Sequence, residues 1–125
     1  MFRVEDDVIE ITRGDHRTLE VMIYDNQNEL YEMQEGDLLT LTVRELPEDA
    51  SPVLVQVHSI TNIIVFDSSD TTNVEPGQYS ADIELVTADG KPFTVFSHVP
   101  ENKRDKGKIK NWKNFIILPE VTRHG

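Results

Sequence analysis

Few residues in this chain are spaced to do chemistry. The nearest approach is Asp67-Ser68-Ser69-Asp70, four oxygen-bearing side chains directly after an apolar run. A hard cation such as Ca²⁺ takes several oxygens, but the alternating ligands and central glycine of a calcium loop are missing here. A turn capped by Asp67 or Asp70 is the simpler reading. The stretch DNQNELYE, residues 25–32, fails the same test, because Leu30 stands where that loop requires glycine. His16, His58, His98 and His124 show no metal-ligand spacing of the H-E-x-x-H kind. No G-x-S-x-G elbow presents a nucleophile, and no glycine-rich loop could cradle a phosphate. The chain has no cysteine, which removes thiolate zinc sites, a thiol nucleophile and disulfides. These patterns predict no enzyme, no metal and no cofactor.

Two other stretches could recognise a partner. Arg13-Gly14-Asp15 is the tripeptide of integrin ligands. Such ligands usually present it at the tip of a long exposed loop, whereas here it separates two predicted strands by a short connection. A tight turn that uses glycine for its backbone freedom is therefore expected, with Arg13 and Asp15 as solvated flanks. The second stretch is NKRDKGKIKNWK, residues 102–113, with 6 of the 12 basic residues and the only tryptophan. Lys103, Arg104, Lys106, Lys108, Lys110, Trp112 and Lys113 are its candidate interaction residues. Three roles are open to it: a docking arm for assembly, a solvated loop whose Trp112 packs on the domain, or a contact to DNA phosphates.

The elements that must carry these stretches have a period of two. Leu19, Val21 and Ile23 alternate with polar or flexible neighbours, as do Leu39, Leu41 and Val43, and Tyr79, Ala81, Ile83 and Leu85. That alternation is the signature of strands with one buried face. Weaker strands are predicted at 8–12, 53–59, 62–66, 92–97 and 114–121. Gly14-Asp15, Gly36-Asp37, Pro76-Gly77 and Asp89-Gly90 punctuate them, and Asp89-Gly90 predicts a hairpin. The segment between Pro47 and Pro52 fits a loop or one helical turn. The pattern predicts about eight strands in a single all-β, antiparallel sandwich spanning residues 1–125, with a long basic loop or hairpin at 98–114.

Charge narrows the partners. Residues 1–101 hold 5 basic against 21 acidic residues, a balance of −16, while residues 102–125 hold 7 against 2, a balance of +5. A body this acidic opposes nucleic acid as a partner. A basic arm on an acidic body suits contact with another copy or another protein. No run approaches the length of a membrane span, and the first residues lack the basic-then-apolar order of a signal peptide.

The order EITRGDHRTLEVMIYD, EGDLLTLTVRE, FDSSDTTNVEPGQYSADIELVTADGKPFTV and FIILPEVT resembles small virion structural proteins of tailed phages and prophages of Gram-positive bacteria. It is particularly similar to the immunoglobulin-like N-terminal domain of baseplate upper proteins. The shared residues are Arg13-Gly14-Asp15, Leu41-Thr42-Val43-Arg44, Asp70-Thr71, Pro76-Gly77, Tyr79, Asp82-Ile83, Leu85, Asp89-Gly90 and Glu120-Val121-Thr122, spread over residues 8–122. Val74 and Ala81 depart from the family's leucine and aromatic, and residues 98–114 are longer and more basic than its closing hairpin. The C-terminal extension normal in that family does not follow, so its attachment role is not carried over. The resemblance implies a non-enzymatic subunit of tail, neck or baseplate, made in the bacterial cytoplasm, located in the virion, and joined there to other virion proteins or to its own copies as a homo-oligomer. A carbohydrate- or receptor-binding sandwich is the alternative. Against it, aromatics are 7% of the chain. Phe66, Tyr79, Phe93 and Phe115 fall at core phases, leaving Tyr24, Tyr31 and Trp112 free to stack a sugar.

Overall fold

The longest alternating stretch becomes the longest strand, and the other strands are arranged around it. The computed structural model describes residues 2–5, 8–46, 51–97 and 113–120. Of these, 51% lie in strands and 4% in helix, so the fold is all-β. In chain order the elements are β1 (Arg3–Val4), β2 (Ile9–Thr12), β3 (Arg17–Glu20), β4 (Ile23–Tyr24), β5 (Leu38–Arg44), β6 (Val53–Ser59), β7 (Ile63–Phe66), α1 (Ser68–Thr71), β8 (Gly77–Val86), β9 (Pro92–Phe96) and β10 (Phe115–Leu118). The predicted bounds at 53–59 are met to the residue. The single strand predicted over 17–24 divides instead. β3 pairs with β7, whereas Ile23 and Tyr24 turn to pair with β1, and Tyr24 also bridges to Leu30.

β8 organises the large sheet, whose order is β2-β10-β8-β5-β6. One edge of β8 carries β5, in register from Leu38↔Val86 to Arg44↔Ser80. The other edge is shared. β10 takes its first part, from Ile117↔Gly77 to Phe115↔Tyr79, and β9 takes its last part, from Ile83↔Phe96 to Val86↔Pro92. The expected Asp89-Gly90 hairpin joins β8 to β9, closed by Gly90 N–H to Thr87 O at 2.7 Å. One pairing corrects the antiparallel expectation: β10 runs parallel to β2, with Ile117 opposite Ile11. Parallel strands need a long crossover, and nearly the whole chain separates these two.

Where β10 ends and β9 has yet to begin, Ala81 would be left with bare backbone groups. The side chain of Asn114 fills the gap. Its Oδ1 accepts the Ala81 N–H at 2.7 Å and its Nδ2 donates to the Ala81 carbonyl at 2.9 Å. Its backbone N–H donates to Tyr79 O at 3.0 Å, and its carbonyl accepts from Ile9 N at 2.9 Å. Asn114 thus ties β2, β8 and β10 at one point, with only 2% of its surface exposed.

The alternation places one residue in two on a common apolar core. Leu39, Leu41, Val43, Ile64, Phe66, Leu85 and Phe115 are fully buried. Each such side chain contributes about 1.5–3 kcal/mol of transfer free energy. The Phe66 and Phe115 rings, 6.1 Å apart, join the β3–β7 pair to the large sheet. Phe2 lies 5.0 Å from Phe93 and packs the β1 end onto β9.

Replacing Asn114 by Ala strands two buried backbone groups of Ala81, each costing about 1–3 kcal/mol when unpaired. The expected loss is about 3 kcal/mol in urea unfolding. Asn114→Asp should be at least as damaging, because a carboxylate cannot donate to the Ala81 carbonyl. A loss below about 0.5 kcal/mol in both variants would remove this role from Asn114.

Candidate functional site

The Arg-Gly-Asp stretch forms the turn expected of it. Asp15 N–H donates to Thr12 O at 3.1 Å, between β2 and β3, and Gly14 sits at φ +80°. The Gly14 N–H docks on Thr71 Oγ1 at 2.8 Å, and Thr71 is fully buried in α1. A Cβ at Gly14 would lie 3.2 Å from Glu120 Oε2, in a left-handed conformation that L side chains avoid. Arg13 is held by Glu120 at 3.4 Å. The guanidinium is therefore a strut across the turn, not a freely presented cation.

The DSSD stretch opens α1, with Asp67 as the residue before the helix and Asp70 in its first turn, the capping role expected of it. Asp70 Oδ2 accepts the Asp67 N–H at 2.7 Å, and Thr72 N–H bonds back to Ser68 O at 3.2 Å. His16 Nδ1 is 3.7 Å from Asp67 Oδ1. Among the described residues no three His, Cys, Asp or Glu side chains converge as metal ligands would. In the DNQNELYE stretch Asp25 turns its carboxylate inward, accepting from Gln27 N–H at 2.9 Å and Glu29 N–H at 3.0 Å. Asn28 takes φ 68° at the tip of that turn.

Of the basic candidates, Lys103, Arg104, Lys106, Lys108, Lys110 and Trp112 lie outside the described residues, as does the 47–50 segment. Lys113 is exposed and immediately precedes the buried Asn114. The segment leaves β9 after Phe96 and rejoins the sheet at β10, so its return is fixed by the amide lock on β8. Sequence reasoning passed over Asn114. The available signal was a single amide side chain at the entry to an apolar strand.

Two of the three aromatics expected to be free are engaged. Tyr31 packs on Phe2 at 4.6 Å and donates its hydroxyl to Asp37 Oδ2 at 2.6 Å. Tyr24 lies under the Arg3 guanidinium, 5.5 Å from its ring centroid. Phe93, expected in the core, is only half-buried at its margin.

Asp37 clamps one end of the large sheet. It is 2% exposed and also accepts from Gln34 N–H at 2.8 Å and Ala88 N–H at 3.0 Å. These bonds join the turn before β5 to the turn between β8 and β9. Gly36, at φ +95°, permits the approach, since a Cβ there would meet Ala88 Cβ at 2.8 Å. Burial pushes the Asp37 carboxyl up, but the Tyr31 hydroxyl and the two backbone N–H groups outweigh it and hold it below its ordinary 3.8. Tyr31 is pushed up to about 12 by burial, by its bond to Asp37 and by that residue's charge.

The polar halves of the alternating strands form the other face of the large sheet. Thr40, Thr42 and Arg44 of β5, Gln56 of β6, and Ser80, Asp82 and Glu84 of β8 line a shallow depression of about 420 Å³. Arg44 reaches Asp82 at 3.9 Å, Gln56 Nε2 donates to Thr42 Oγ1 at 3.1 Å, and Thr40 Oγ1 meets His58 Nδ1 at 2.9 Å. Among the described residues no aromatic lines it. This surface can offer hydrogen bonds but no stacking platform. Comparison of the chain with known protein families, characterised proteins and solved structures finds no match.

The Tyr31–Asp37 clamp has a definite pH signature. The depressed Asp37 carboxyl contributes stability at neutral pH that is lost as pH falls through and below 3.8. The raised Tyr31 contributes stability that is complete below pH 10 and is lost as pH climbs towards 12. Urea midpoints across pH should show both limbs. Asp37→Asn should lower stability at pH 7 by about 1–3 kcal/mol and flatten the acid limb. Tyr31→Phe should flatten the alkaline limb, and unchanged limbs in both variants would contradict the clamp.

Proposed function

We propose that the chain is a single immunoglobulin-like β-sandwich that serves as a non-enzymatic structural subunit of a phage or prophage virion, in its tail, neck or baseplate. It acts by joining other virion proteins, or copies of itself, in the particle. The carrying observation is the join between β9 and β10. A segment with 6 of the chain's 12 basic residues lies in the sequence between β9 and the buried Asn114, in a chain whose first 101 residues are strongly acidic. A basic arm fixed at its return is suited to dock on the acidic body of a neighbour.

Two features support the immunoglobulin-like reading. The Tyr79 hydroxyl, at the start of β8, bonds back to the Glu75 carbonyl. A tyrosine at this corner is a recurrent device of such sandwiches. β10 lies between the parallel β2 and the antiparallel β8, so a strand from the start of the chain and the last strand are neighbours in one sheet. The carbohydrate- or receptor-binding alternative draws on the polar depression over β5 and β8. The absence of aromatic lining among the described residues, with Tyr24 and Tyr31 both engaged, weighs against sugar stacking.

The discriminating experiment is light scattering after size exclusion, at low and high salt, for the intact chain and for one lacking 102–113. Assembly through the arm predicts an oligomer that weakens with salt and loses mass without the arm. An oligomer indifferent to the deletion, with unchanged partner binding, would overturn the arm's role. A monomer under every condition that retains cell-wall glycan binding would favour the alternative.

A further inference from the structure

The large sheet ends on a strand built to pair again. β6, Val53–Ser59, pairs with β5 alone among the described residues, so its second edge faces away from the sheet. Edge strands are normally guarded by charge, proline, bulges or short length. β2, at the opposite end, is guarded by length, with four residues. β6 has seven residues. The chain is 28% charged, yet residues 51–66 contain no Asp, Glu, Lys or Arg. The guards act at one end only. Pro52 precedes the strand, and a register shift at Val43/Arg44 sets Arg44 against Val53 and leaves Leu54 unpaired. Beyond the shift, Val55–Ser59 forms a regular ladder with β5. Val55 points into the core and Val57 is half-buried on the same side, while Gln56 and His58 are exposed on the other.

We infer that β6 pairs with β6 of a second copy of this chain, antiparallel across a two-fold axis at Val57. The inference rests on the assembly reading and names its edge and its occupant. The regular segment is symmetric about Val57. An antiparallel match places Val57 on Val57, Val55 opposite Ser59, and Gln56 opposite His58 in both directions. An amide opposite an imidazole can share a hydrogen bond, and the valines extend the apolar face of both sheets. The charge distribution selects this contact for a second copy. Two chains of net charge −11 repel, and the strip without Asp, Glu, Lys or Arg is where they can meet with no like charges opposed. An isologous contact uses up both edges, so it closes at a dimer rather than growing into a fibre.

The test uses the full chain in a concentration series by analytical ultracentrifugation. The mass should rise towards twice the 14.3 kDa of the protomer. Association should strengthen with salt, which screens repulsion between the bodies, and should survive deletion of 102–113. Both separate this contact from contacts made by the arm, which salt weakens and the deletion removes. The double variant Q56K/H58K places lysine opposite lysine twice and should weaken the dimer by about tenfold or more. Q56K/H58E places opposite charges together in this register and should restore it. Both variants replace exposed side chains and make the same two changes to the contacts with Thr42 and Thr40, so the second controls the first for folding. A dimer unaffected by Q56K/H58K, or Q56K/H58E as weak as Q56K/H58K, would overturn the pairing. Loss of assembly on deleting 102–113 with indifference to both variants would leave the assembly reading standing and remove β6 from it. A monomer throughout the series would overturn the β6 dimer.

Discussion

The bidentate bond between the Asn114 side chain and the Ala81 backbone is the constraint on which the large sheet turns. β8 offers ten residues of edge, and neither β9 nor β10 is long enough to cover it. A sheet in which two strands share one edge must leave a gap at the join. A buried gap exposes an N–H and a carbonyl to an environment without water, at a cost larger than most single contacts supply. An asparagine amide is the side-chain copy of a peptide group, so Asn114 closes the gap without another residue of backbone. Because the same residue bonds Tyr79 and Ile9 through its own backbone, the lock also sets where the parallel β2 must lie.

The two ends of the sheet are secured by different chemistry. At one end Asp37, Tyr31 and Gly36 bind two turns together through a carboxylate with three donors. At the other, Thr71 receives the Gly14 N–H and Glu120 holds Arg13. Side chains that would count as functional candidates on an exposed loop are consumed in closing the fold. The Arg-Gly-Asp turn, the Asp67–Asp70 stretch and Tyr31 all acquire a structural account. Among the described residues the polar outer face and the edge of β6 have no such account, and the basic segment between β9 and β10 stands beside them in the sequence.

These remaining surfaces differ in how they can be used. The outer face of β5 and β8 satisfies much of its own hydrogen bonding, with Arg44 near Asp82 and Gln56 on Thr42. A partner there must replace existing bonds with new ones, and the net gain from such exchange is small. The outer edge of β6 pairs with no other strand among the described residues, and residues 51–66 contain no Asp, Glu, Lys or Arg. Attraction by the basic segment, as proposed, would act over a longer range and weaken with salt.

Much of the strand pattern was legible in the sequence, because burial on one face imposes a period of two that survives in the residue types. Leu39, Leu41 and Val43, and Ile83 and Leu85, are buried as their alternation predicts, and the polar residues between them form the outer face. The turns at Gly14 and Asp89-Gly90 were legible for the same local reason, since backbone conformation there restricts the residue. Alternation says nothing about which strand pairs with which. That Ile23 leaves β3 to join β1, and that β10 runs parallel to β2, depends on contacts between residues far apart in the chain. Nor could spacing show that Tyr31 is tied to Asp37, or that Asn114 stands in for a missing strand. Local chemistry wrote the strands and turns into the sequence. The pairings, the clamps and the free edge exist only once distant backbone groups must each find a partner.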